Sequence, residues 1–165
     1  MNVATDRSQT STRPIDRWFA SYSDDHRNPT NQLIHVFCVP AIAWSVIALL
    51  WCIPSPGTLF RPGTWAGVAM FAAALFYYRA SRRLGLGMIA MLVLMALLTG
   101  ALYDVLGAGT LLWLALGVFV VAWIGQFLGH KIEGRKPSFL TDLTYLLIGP
   151  AWVLAKLYRK LGWAY

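Results

Sequence analysis

Three histidines are all that the chain contains, and two of them, His26 and His35, bound the stretch HRNPTNQLIH, where a polar N-terminal region gives way to a long apolar run. The third, His130, lies in WIGQFLGHKIEGRKP at the end of another apolar run, with Glu133 three residues further on. Imidazole nitrogen and carboxylate oxygen suit Fe, Zn or Mn, and two or three histidines with one carboxylate leave positions open at a non-haem Fe(II) centre. The spacing favours convergence. Asn28 followed by Pro29 is a helix start, asparagine as the cap and proline as the first helical residue, so His26 lies before the helix and His35 inside it. On one unbroken helix the two rings would stand about 13 Å apart on opposite faces; the break lets them meet. Asn31, four residues before His35, shares its face, so its amide can orient the imidazole. Gln126, His130 and Glu133, spaced four and three apart, share a face of the other helix.

Each of these residues also has a plainer reading. A histidine at a membrane edge often caps a helix or meets a headgroup. Glu133 can pair with Arg135 or Lys136, and Asp142 can cap the last helix as well as act as an acid. Gly125 and Gly129 read as a close-packing pair. The tryptophans and tyrosines read mostly as interface anchors.

The elements that must bring the histidines together are apolar. With 58% hydrophobic and only 13% charged residues in 165, the chain reads as a single-domain, all-α integral membrane protein. Its net charge of +7 then belongs to loops and lipid headgroups, and nucleic acid is not an expected partner. Four apolar runs, 33–53, 65–78, 84–106 and 111–128, predict about four transmembrane helices, the second of them short. PSPGTLFRPG, RASRR and YDVLGAG are the turns between them. A fifth run, 139–158, is interrupted by Asp142, Gly149, Pro150 and Lys156, and reads as an interfacial or re-entrant terminal helix. Residues 1–12 are expected to be disordered. Residues 14–25 are expected to form an interfacial helix anchored by Trp18, Phe19 and Tyr22. Cys38 and Cys52, fourteen residues apart on one helix, are too distant for a disulfide.

No apolar core of a signal peptide occurs near Met1, so the N-terminus is expected in the cytosol. Four spans then place Arg79, Arg82, Arg83, Lys131, Arg135 and Lys136 on that same side and only Arg61 across from them. All three histidines fall at the cytosolic edge of a multi-pass protein, in the inner membrane of a bacterium or the endoplasmic reticulum of a eukaryote.

Two motifs carry a family resemblance. YSDDHRNPTNQLIH, with Tyr22, His26, Asn28, Pro29, Asn31 and His35, and QFLGH, with Gln126, Phe127, Gly129 and His130, resemble the fungal and bacterial 2-hydroxy fatty acid dioxygenases. This is a family of small integral membrane proteins typified by the fungal enzyme that turns phytosphingosine-derived acids into odd-numbered fatty acids. The resemblance runs from about Tyr22 to Gly162, the middle spans matching in hydropathy alone. It implies Fe(2+)-dependent α-oxidation, in which a 2-hydroxy fatty acid and dioxygen give the acid one carbon shorter. His26, His35 and His130 would be ligands, Glu133 a fourth ligand or a hydrogen-bond acceptor behind them, and Asn31, Gln126 and Tyr22 their supports. Lys131 and Arg135 are the cations expected to attract the substrate carboxylate. One departure stands out: Glu133 follows His130 by three residues where the family pattern has four, a rotation of about 100° on a helix. Two other classes use the same residues. A Zn-dependent lipid hydrolase would take Glu133 as general base, and a non-enzymatic haem-binding or structural membrane protein would take His35 and His130 as axial ligands or use neither.

Overall fold

The computed structural model describes residues 13–57, 60–134 and 139–165. The expectation of disorder in 1–12 and the roles given to Arg135 and Lys136 lie outside these residues. Among those described, five helices and no strands occur: α1 (Pro14–Asp25), α2 (Pro29–Trp51), α3 (Thr64–Ala80), α4 (Arg82–Glu133) and α5 (Phe139–Lys160).

Local chemistry sets the boundaries. Pro14 opens α1, and Pro29 opens α2 behind Asn28, whose side chain accepts from the amides of Thr30 and Asn31. Gly63, at a φ of 85°, starts α3 with the Trp51 ring packed where a side chain would project. Ser81 ends α3 in extended backbone, and its hydroxyl then accepts from the Leu84 amide to cap α4.

Helix α4 numbers 52 residues, which would stretch about 78 Å if straight. It is not straight, because Gly107 breaks it with φ 75° and ψ 165°, a conformation nearly confined to glycine. The two halves run along α2 in opposite senses. At the Gly107 end, Gly100 lies against Trp51 and the Ala108 carbonyl accepts from the Cys52 thiol. At the other end, Leu84 is buried with Tyr22 and Trp152, and Gly129 abuts Asn31 and His35. The expected runs 84–106 and 111–128 are therefore the two halves of α4, and the turn expected across YDVLGAG narrows to one glycine.

Among the described residues, two helices, α2 and α4, are long and apolar enough to cross a membrane. The outward surface of α2, α3 and α4 is apolar: Phe37, Phe71 and Trp113, one on each, are 70%, 72% and 73% exposed. Helix α1 matches the expected span, but its apolar face does not look outward. Ile15, Phe19 and Tyr22 are buried against Ile148, Ala151, Trp152 and Ala155 of α5, and Trp18 stacks on Phe76. The reason is that α5 is amphipathic and offers an apolar face of its own, so each helix covers the other. Cys38 and Cys52 are free thiols.

Candidate metal centre

His26 is the residue that ends α1. The last carbonyls of a helix lack backbone partners, and the His26 Nδ1–H donates to one of them, that of Tyr22, at 2.6 Å. The Tyr22 ring stacks on the imidazole with centroids 4.1 Å apart and 12° between planes. Trp152 backs Tyr22 at 5.0 Å and donates its indole N–H to Ser23 Oγ at 2.9 Å. Nearly two turns into α2, the His35 Nδ1–H donates to the Asn31 carbonyl at 2.9 Å.

These two bonds decide the protonation pattern. A carbonyl oxygen only accepts, so each Nδ1 carries the hydrogen, and each neutral ring keeps its lone pair at Nε2. Those two Nε2 atoms face each other at 3.0 Å. Two lone pairs so placed repel unless a proton or a metal cation lies between them. His130 closes the group, its ring 5.3 Å from His26 and 5.2 Å from His35. One nitrogen from each of the three buried rings lies within 4.8 Å of the others, the arrangement of a tri-imidazole metal site.

Glu133 stands behind this group. Its carboxylate accepts from the backbone amides of Arg27 at 2.8 Å and Asn28 at 2.9 Å, and from the side-chain amide of Asn31 at 2.9 Å. It thus supplies the anion at the N-terminus of α2, a position where the helix dipole and the unpaired amides both favour negative charge. The Asn31 side chain, expected to orient His35, gives an N–H to Glu133, and it is the Asn31 main chain that bonds the ring. Gly129 makes this possible: a Cβ there would overlap Asn31 Oδ1. Gly125, one turn back, faces the Cys38 thiol, so the two glycines are the close-packing pair expected between helices.

The histidines open into a cavity lined also by Tyr22, Val39, Ile42, Trp123, Gln126, Tyr145 and Leu146. Gln126 thus reaches the site as expected. Trp123, Tyr145 and Leu146, and Trp152 behind Tyr22, were not singled out in the sequence, where aromatic side chains in an apolar protein look alike whether they face lipid or a cavity. No lysine or arginine among the described residues lines the cavity. Lys131 is exposed on α4, and Arg135 and the Asp142 side chain lie outside the described residues. Lys156 reaches the histidine loop from α5. Its ammonium sits 4.5 Å over the Trp152 ring and donates to Gln32 Oε1 at 2.7 Å, and Gln32 in turn donates to the His26 carbonyl at 2.7 Å. Burial, and then Arg159, pull the Lys156 ammonium below the ordinary lysine value.

A family model described as 2-hydroxy-palmitic acid dioxygenase Mpo1-like matches residues 12–161. The chain is 32% identical over 143 residues to the 2-hydroxy-palmitic acid dioxygenase MPO1 of Saccharomyces cerevisiae, covering 86% of this chain and 78% of that one. No solved structure matches the chain.

Proposed function

Since the chain belongs to the family of Mpo1-like 2-hydroxy-palmitic acid dioxygenases, we propose that it is an Fe(II)-dependent membrane dioxygenase that shortens 2-hydroxy fatty acids by one carbon. The observation that carries this reading is the pair of Nε2 lone pairs turned on each other at 3.0 Å by two backbone carbonyls, with His130 as the third donor. Three imidazoles fit Fe(II), and they leave coordination positions for other ligands. Bound iron would supply the dioxygen chemistry and would chelate the carboxylate and hydroxyl oxygens of a 2-hydroxy acid. The reaction balances as acid plus dioxygen giving the shorter acid, carbon dioxide and water.

The chain's own side chains do the rest. Tyr22 and the Tyr22 and Asn31 carbonyls fix the two rings. Glu133 acts from behind them, holding the start of α2 in place. Gln126 brings a neutral amide to the cavity for the polar head, while Val39, Ile42 and Leu146 form its apolar wall. Lys131, exposed beside His130, suits attraction of the carboxylate from outside, since no cation lines the cavity among the described residues. The exposed apolar belt of α2, α3 and α4 suits a lipid bilayer. Within it, α2, α3 and the two halves of α4 would be four spans, with the histidine end at the cytosolic face.

The alternatives fit less well. A zinc hydrolase needs Glu133 to take a proton from water, yet both its oxygens already accept from the start of α2. Axial haem ligation by His35 and His130 needs a macrocycle between rings whose centroids are 5.2 Å apart and which both meet His26. Metal analysis of anaerobically purified protein, with turnover of 2-hydroxypalmitic acid under dioxygen, tests the proposal. One iron per chain is expected, with iron and activity lost together in His26→Ala, His35→Ala and His130→Ala. A His26→Ala protein with full iron and full turnover would overturn it.

A further inference from the structure

Beyond the histidine cavity lies a second, almost wholly apolar cleft between α2, α3, the first half of α4 and α5. The two are neighbours: Leu146 lines both, and on α2 Ile42 lines the first while Ala43 lines the second. Along α2 the lining residues form one stripe. His35, Val39 and Ile42 face the histidine cavity, and Ala43, Val46, Ile47 and Leu50 continue at the same helical spacing along the cleft. Tyr77 is the polar residue of the lining, and its hydroxyl is already given to the Leu147 carbonyl at 2.6 Å. The cleft therefore offers a ligand apolar contact alone.

We infer that this cleft holds the acyl chain of the 2-hydroxy acid, so that its depth sets the preferred chain length. The inference rests on the histidine cavity being where the acid's head reacts. Fifteen residues separate His35 from Leu50 on α2, a distance of about 22 Å, which is the reach of a long-chain acyl group. Depth follows from topology. Ala43, Tyr77 and Leu146 lie towards the histidines, whereas Leu50, Ala69 and Met70 lie at the far end, because α3 returns antiparallel to α2 after Gly63. A hydroxyl or carboxylate has no partner in the cleft, so the acid can enter only tail first.

Two measurements on the full chain in membranes test this. In the first, 2-hydroxy acids of graded length are assayed with wild type, Ala43→Phe and Leu50→Trp. Filling the near end with Ala43→Phe should lower the rate on long acids relative to short ones by about 10-fold or more. Filling the far end with Leu50→Trp should penalise only the longest. An unchanged ratio in both variants, or the same shift in both, overturns the inference. In the second, a 2-hydroxy acid with a photoreactive diazirine near its methyl end is cross-linked to the wild type. Label on Leu50, Ala69 or Met70, reduced by unlabelled 2-hydroxypalmitic acid and not by phospholipid, is the expected result. Label confined to outward residues such as Phe37 and Phe71, or displaced equally by phospholipid, overturns it. The photolabel reads the cleft without turnover, so a wild-type protein inactive on every acid would overturn the proposed reaction while the label still decides the cleft.

Discussion

His26 and His35 are held by the same device, a main-chain carbonyl four residues earlier, although one ring ends a helix and the other lies inside one. Ring orientation is thereby insulated from most side-chain changes. Glu133 is different, because a side chain is all that joins it to the site. Glu133→Gln keeps the shape but presents an NH2 to the Asn28 and Asn31 donors. One donor of a charge-assisted set is then left facing another, and the start of α2 loosens. Iron affinity and turnover should fall by about 10 to 100-fold, the usual consequence of losing a group that supports a ligand. A direct ligand would lose nearly all its iron on the same change, and a surface ion pair would change neither. Iron content and rate measured on one preparation separate the three outcomes.

Helices α2 and the second half of α4 carry the centre between them, and small residues set their separation. Gly129→Ala should push Asn31 away from α4, costing about 1 to 3 kcal/mol of stability and weakening iron binding. Gly117→Ala on the same helix has open space around its Cβ and should do neither, so paired thermal denaturation and iron titration check the contact. The helices themselves were legible from apolar runs, and the start of α2 from Asn28 and Pro29, since capping is local chemistry. Convergence of His26, His35 and His130 was legible from the break between two helices and from the placing of spans. The partner of Glu133 was not, because a carboxylate three residues past a histidine says nothing about which amides lie opposite it. Nor was the inward face of α1: amphipathic spacing predicts a face that must be covered, and lipid and α5 cover it equally well on paper.

At the scale of the whole molecule, the histidines sit at one end of the bundle and Gly107 at the other. If α2, α3 and the halves of α4 cross a bilayer, reporters fused at Arg83 and at Gly107 should be found on opposite sides of it. Reporters on the same side would remove the four-span reading. The bonds from Arg27 and Asn28 to Glu133 also bear on the order in which the protein is made. Glu133 follows Asn28 by 105 residues, so at about 5 to 20 residues per second roughly 5 to 20 s pass on the ribosome between the two. Throughout that interval the first amides of α2 lack their anion and His130 has yet to be translated. If the three histidines hold iron as proposed, the nascent chain has only two of its three donors until its fourth apolar run emerges, and iron loading would be a late event in its biogenesis.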